Sequence, residues 1–473
     1  MTTTYQPAAA AAVPRKAASA MTALLLRLHF YIGLFVGPFI MVAAVTGTLF
    51  VLTPQIEERV YAGQLFNQSQ GEIQPLAAQI KAAQAYMDGL NHPGDKPRLF
   101  AVRPSKAEGW NTRVMFSQQG LGDQSRAVFV DPVNLQVHGE LLVYGTSGTL
   151  PFRTTLDYLH RNLMLGDLGR NYSELAASWL WLGALGGVWL WWNARRRARP
   201  EVQKARKPMN ARRLHSLLGI WIVVGLVFFS ATGLTWSKWA GARVNMLRAE
   251  LGWITPSASM QLQPSKSMEG MDMGEHAEHM TMAHQHAGMA MPMPAAGDPA
   301  RFDLVQSIAR AGGIDSSEIE IRPPRAANQA WMVRETDRSW PTQVDTVAVD
   351  PDRMAITSRA DFATFPLIAK LIRWGVDAHM GILFGVANQI MMAAFGIALT
   401  AMIVLGYVMW WRRRPAAGSG LAPLTEAFMR LAPAQRVTVG VLAILLGWNL
   451  PLMGLSLLLF LLVDVIRWRL ARR

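Results

Sequence analysis

Two stretches decide how this chain is read: "RLHFYIGLFVGPFIMVAAVTG" (27–47) and "RLHSLLGIWIVVGLVFFSATG" (213–233). Both open Arg-Leu-His, both place Gly four residues after the His, and both place Thr-Gly 17 and 18 residues after it. Working outward, His160 precedes Trp192 by 32 residues and His379 precedes Trp411 by 32. Asp131 in "VFVDP" lies 29 before His160, and Asp350 in "VAVDP" lies 29 before His379. One interval differs: 131 residues from His29 to His160 against 164 from His215 to His379. The surplus of 33 falls in the second copy and matches roughly 264–296, which holds "MEGMDMGEHAEHMTMAHQHAGMAMPMP". The chain reads as one unit written twice, with an insertion in the second copy.

Each unit is bounded by apolar runs. The clearest are Leu24–Leu52, Leu175–Trp192, Leu214–Trp236 and Ile382–Trp411, near or above the roughly 20 residues that cross a bilayer. A fifth, Val437–Ile466, is interrupted by "GWNLP" and predicts two short helices turning at Asn449–Pro451. No small-residue cleavage site follows the first run, which predicts an anchor. With no Cys, disulfides, Fe–S clusters, thiolate zinc sites and c-type haem attachment are excluded.

The net charge of +14 has a direction. Basic residues crowd Arg15, Lys16 and Arg27, the loop from Arg195 to Arg213 with nine Lys/Arg, Arg412–Arg414, Arg430, Arg436 and the C-terminus. Only Glu201, Glu426 and Asp464 oppose them. The positive-inside rule puts these segments in the cytoplasm, so the basic balance reports topology and not a nucleic-acid partner.

Between the spans, each copy carries a helical pattern ("PLAAQIKAAQAYM"; "RFDLVQSIARAGG") and then short alternating strands that meet at an Asp-Pro turn ("AVFVDPVNLQVHGEL"; "TVAVDPDRMAITSRA"). This predicts a small α+β module, twice. The expected divisions are a cytoplasmic N-terminus 1–23, a span 24–52, module 53–172, span 173–193, basic loop 194–212, span 213–236, module 237–378 with insertion 264–296, span 379–411, loop 412–435 and a helical hairpin 436–468.

The order of span, Asp-Pro module and "LHRNLMLGDLG" (159–169) leading to a second span, all repeated over about 24–412, resembles the PepSY-associated transmembrane family. The resemblance implies an iron-regulated, multi-pass protein of the bacterial inner membrane. Its fold class would be mainly α, a two-fold repeat of transmembrane helix, periplasmic PepSY-like α+β module and transmembrane helix, with a C-terminal helical hairpin. Members include haem-containing ferric-siderophore reductases, some with a fused flavin reductase domain. This chain shows no Gly-rich nucleotide fingerprint, so its electron donor is expected to be a separate cytoplasmic or membrane partner.

Four of the ten histidines, His29, His160, His215 and His379, occupy matched positions within or beside the spans. Ionisable residues there are costly and mark functional sites, and neutral imidazole is a good axial ligand for haem between helices. Depth decides the pairing. His29 lies five residues past Leu24, about 8 Å into its helix, and His215 stands at a similar depth. His160 and His379 each lie 32 residues from a cytoplasmic Trp, about 48 Å of straight helix, longer than the apolar core. Those helices must tilt, break at Gly166, Gly169, Gly381 or Gly385, or project beyond it. The expectation is two b-type haems, one between His29 and His215 and one between His160 and His379. Arg27 and Arg213, two residues before the first pair, are candidates for the propionates. Polar residues packed at helix ends, with the Arg as membrane anchors, are the bland alternative.

In the insertion, His276, His279, His284 and His286 with Met271, Met273, Met280 and Met282 offer soft thioether and imidazole ligands that suit copper. A solvated loop is the alternative. The expected function is electron transfer across the membrane to a periplasmic metal species, a ferric siderophore or copper, with no protein nucleophile. The competing readings are a non-redox PepSY protein in metal binding or uptake, and one that binds a periplasmic protein.

Overall fold

The computed structural model describes residues 19–90, 96–145, 148–197, 209–262, 297–326, 328–413 and 423–470. The described residues are mostly helical, with one antiparallel sheet. Among the described residues, five helices are long and apolar enough to cross a membrane: Ala20–Val51, Gly166–Arg196, Ala211–Thr235, Gly385–Arg413 and Pro451–Leu470. Their outer faces expose Trp221, Val224, Ile390 and Leu455. Such surfaces need lipid, and the helix satisfies its own backbone there. The chain is a multi-pass membrane protein.

Local chemistry sets the ends. Ser19 accepts from the Thr22 amide at the start of the first span, and Asn210 accepts from the Arg213 amide at the start of the third. The long helices expected before Trp192 and Trp411 break. Helix Pro151–Asn162 stops at Leu163 and Met164, both left-handed, and the second span restarts at Gly166. Gly169 is required beside this break, because a Cβ there would lie 1.7 Å from the Asn162 carbonyl oxygen. Helix Leu367–His379 stops likewise, and left-handed Gly381 and Gly385 lead into the fourth span. At the other end, helix Pro433–Asn449 and the fifth span meet at Leu450. Pro451 cannot continue the first helix, and Gly447 and Gly454 let the two backbones touch.

The spans pack around Ile32, Val36, Trp179, Ile222, Leu226 and Leu399. The second span starts nine residues before the apolar run that marks it in the sequence, at Gly166 instead of Leu175. Its polar first turns are held by tertiary contacts: fully buried Glu174 accepts from the Trp239 and Ala240 amides and so caps helix Trp239–Glu250.

Among the described residues, the strands of the two expected α+β modules join in one sheet. The strands are β1 (Arg98–Arg103), β2 (Thr112–Ser117), β3 (Gln124–Val130), β4 (Val137–Tyr144), β5 (Ile319–Arg322), β6 (Trp331–Glu335), β7 (Thr346–Asp350) and β8 (Ala355–Ala360). Their order is β4-β3-β2-β1-β5-β6-β7-β8, all antiparallel, and Val102 pairs with Ile321 at the seam. Pairing β1 with β5 removes an open edge from each half. One face is apolar: Val102, Val114, Ile321 and Val333 pack beneath helices Leu76–Gly89 and Arg301–Ala311. Asp303 on the second helix accepts from the Leu76 and Ala77 amides at the start of the first, so the second half caps the first. The opposite face turns toward the spans and carries charge at its centre. Fully buried Glu320 meets Arg103, Arg322 and Arg334 at 2.7, 2.6 and 3.1 Å. Burial alone would raise the Glu320 pKa, but these three guanidinium groups hold it below the usual carboxylate range.

Candidate functional site

The four histidines meet as two pairs. On the side of the bundle away from the sheet, His29 on the first span faces His215 on the third, ring centres 6.2 Å apart. On the sheet side, His160 and His379, each in the last turn of its short helix, face each other at 6.3 Å. Thr46, which touches His160, lies 17 residues along the first span from His29, about 25 Å of helix. Thr232, which touches His379, lies 17 residues beyond His215.

Each ring is held through Nδ1. His29 Nδ1–H donates to the Gly183 carbonyl at 3.0 Å, and His215 Nδ1–H to the Met402 carbonyl at 2.9 Å. A carbonyl oxygen only accepts, so the proton sits on Nδ1 and Nε2 keeps its lone pair. On the sheet side, Thr232 donates its hydroxyl proton to the Phe228 carbonyl at 2.8 Å, and its oxygen accepts from His379 Nδ1 at 2.6 Å. Thr46 donates to the Val42 carbonyl at 2.7 Å and lies 3.1 Å from His160 Nδ1, which also reaches the Ala43 carbonyl at 3.0 Å. The acceptors keep step: Gly183 lies 23 residues after His160, and Met402 lies 23 after His379.

Glycines let the rings lie against neighbouring backbone. A Cβ on Gly187 would stand 3.2 Å from His29 Cε1, one on Gly47 3.1 Å from His160 Cε1, and one on Gly406 3.8 Å from His215 Cε1. Gly33, one turn after His29, has no neighbouring atom within 4 Å of where its Cβ would be. Phe229 stands edge-on to His379 at 5.2 Å, with Trp236 at 6.2 Å. Burial pushes the pKa of His160 down and that of His379 down to about 3, so both are neutral near pH 7.

This geometry fits a haem at each pair. A metal held between two imidazoles at nitrogen–metal distances of about 2 Å would place the ring centres roughly 6 Å apart. Both pairs meet that separation, and all four imidazoles keep Nε2 for the metal while a protein oxygen engages Nδ1, the usual partner arrangement of a ligating His. Among the described residues, no three His, Asp or Glu gather to hold a bare ion.

The other expected residues fare differently. Arg27 is half-buried and Arg213 exposed, each half a turn before its His. His276, His279, His284, His286, Met271, Met273, Met280 and Met282 lie outside the described residues. Thr46, Thr232, Gly187 and Gly406 are site residues that the search for histidines passes over. Their recurrence was the available signal: Thr 17 residues after His29 and His215, Gly 27 after His160 and His379.

Residues 26–413 match the family model described as the PepSY-associated TM region. No curated protein matches the chain.

Proposed function

The chain belongs to the PepSY-associated transmembrane family, and from that premise we propose that it is a b-type cytochrome with two haems. It takes electrons from a donor on one side of the bacterial inner membrane and reduces a ferric siderophore on the other. The matched hydrogen bonds around the four histidines support a two-fold repeated unit. The positive-inside rule puts the loop near Arg195–Arg213 and both termini in the cytoplasm, with helix Pro433–Asn449 crossing as the partner of the fifth span, and the sheet in the periplasm. On this reading the periplasmic segments 53–172 and 237–378 contribute two halves of one sheet between paired spans.

The observation that carries this reading is the pair of imidazole separations, 6.2 and 6.3 Å, with every Nδ1 engaged. When bound, haem supplies one-electron iron chemistry that no side chain here can supply. The protein's share is placement. His29 and His215 hold one site near the cytoplasmic ends of the first and third spans. His160 and His379 hold the other at the periplasmic ends. Gly47, Gly187 and Gly406 give the rings room. The net reaction takes one electron from the donor and converts Fe(III) in the chelate to Fe(II), which its oxygen ligands hold less tightly.

The test is single-turnover oxidation. Detergent-purified protein is reduced with dithionite, desalted without air and mixed with a ferric siderophore and a ferrous-specific chromogenic chelator. The reading requires the reduced haem bands to fade as the ferrous complex appears, one iron per electron. Persistent reduced bands would remove it.

A further inference from the structure

A cavity of about 920 Å³ lies between the charged face of the sheet and the ends of the spans. Its floor includes Met380, the residue after His379, and Gly381, whose left-handed turn directs the chain away. The volume suits a ligand of chelate size.

The walls are cationic. Arg103, Arg322 and Arg334 enter from the sheet and share the single carboxylate of Glu320. Arg338 and Arg373 enter from the other side and share that of Asp377. Arg113, Arg153 and Lys106 complete the set. Against these eight stand Glu320 and Asp377 behind the wall and four carboxylates on it. Those four are largely committed. Glu318 pairs with Lys106, Glu335 accepts from three backbone amides, Asp337 accepts from Ser339, and Glu57 accepts from the Arg153 amide.

Arg153 supplies a second, independent sign. Its guanidinium lies 4.7 Å from the centre of the Phe50 ring, and its Nε and Nη2 are buried with no acceptor. Arg322 Nη2 is in the same condition. A buried guanidinium donor without an acceptor costs free energy that an oxygen ligand would recover. Burial also pushes the pKa of Arg113 and Arg322 down to about 10, the mark of cations kept from water. Planar guanidinium groups match carboxylate and catecholate oxygens two at a time, which ammonium groups do not.

We propose that this cavity binds a polyanionic, oxygen-rich chelate of a trivalent metal, of the carboxylate or catecholate class, in preference to an uncharged hydroxamate chelate. Arg153 and Arg322, both on its lining, carry guanidinium nitrogens with no protein acceptor. The iron in this account rests on the reductase reading, whereas the charge selectivity does not.

The test uses redox-silent gallium and the full-length protein in detergent. Calorimetric titration with Ga(III)–citrate should show binding that weakens as salt rises. An uncharged Ga(III) trihydroxamate should bind at least ten-fold more weakly. Arg153→Gln and Arg322→Gln should each weaken Ga(III)–citrate about ten-fold while elution volume stays that of the parent. Glu320 keeps two arginine partners in the second variant, so that fold survives. Equal or tighter binding of the uncharged chelate overturns the proposal, and so does unchanged citrate affinity in correctly folded variants. Colourless protein that still selects Ga(III)–citrate would sink the reductase reading and leave this site standing. Haem-loaded protein that is oxidised by a ferric hydroxamate yet ignores Ga(III)–citrate would do the reverse.

Discussion

Thr232 Oγ1 lies 2.6 Å from His379 Nδ1 and is the acceptor that fixes this ring, whereas His160 has two, Thr46 Oγ1 at 3.1 Å and the Ala43 carbonyl at 3.0 Å. The asymmetry gives unequal outcomes for the same substitution. Thr232→Val should weaken haem retention on the sheet side by ten-fold or more, the usual cost of removing the partner of a ligating His. Thr46→Val should cost less, because the Ala43 carbonyl still takes the proton. Haem transfer to an apo-globin, followed by absorbance, measures both. Equal losses would contradict this asymmetry, and no loss in either variant would show that these hydroxyls do not orient the rings.

Glycine substitutions address the same rings from behind. Gly187→Val places atoms against His29, whose Cε1 already stands 3.2 Å from the built Cβ, while Gly406→Val meets His215 at 3.8 Å. The first should displace its ring and cost the haem away from the sheet, leaving the sheet-side haem in place. The second should be milder. Haem content and the reduced spectrum of each variant decide it, and loss of both haems from Gly187→Val would point to general unfolding.

At the seam of the sheet, Glu320→Gln strands three guanidinium groups around a neutral amide. Removing one partner from a buried ionic group costs on the order of 3–5 kcal/mol, so the variant should melt well below the parent near pH 7. The sign with pH follows. The folded pKa of Glu320 is depressed, so its contribution is complete above the unfolded value of about 4.3 and fades as pH falls from there toward the folded pKa. Parent and variant should therefore converge in acid. A gap in melting temperature that stays constant from pH 7 to pH 3 would contradict this.

How much of this was legible in the sequence varies by element. Matched intervals identify the four histidines and their depths, because a helix converts residue count directly into distance. The first and third spans lie within a few residues of their apolar runs, Leu24–Leu52 against Ala20–Val51 and Leu214–Trp236 against Ala211–Thr235. The second does not, because Glu174 reads as polar surface until Trp239 and Ala240 are placed on it. The seam between β1 and β5 was silent. Strand pairing is made by backbone groups that every residue has, so Val102 and Ile321 carry no mark of partnership. The arginine cavity was hidden for a related reason. Counted along the chain, Arg103, Arg153, Arg322 and Arg338 pass for solvent-exposed charge, and only folding gathers them.

The Met/His-rich insertion can be separated from the rest. Its 33-residue surplus sits in one copy, and the intervals around it are unchanged. Deleting residues 264–296 should leave haem content and oxidation by a ferric siderophore as they are, since chain closure depends only weakly on loop length. If those side chains take copper, the deletion should abolish copper binding by the purified protein. Haem loss on deletion would tie the insertion to the bundle, and unchanged copper binding would place any copper site elsewhere.

The central claim is that His29 with His215, and His160 with His379, hold two haems. The most direct measurement is haem per chain, from the dithionite-reduced spectrum of detergent-purified protein from a haem-sufficient host, for the parent and four single His→Ala variants. The account predicts b-type bands and close to two haems in the parent. His29→Ala and His215→Ala should lose one and the same spectral component, His160→Ala and His379→Ala the other, each with folded yield confirmed by elution volume. Colourless parent protein would contradict the claim, and so would a component lost in common by His29→Ala and His160→Ala.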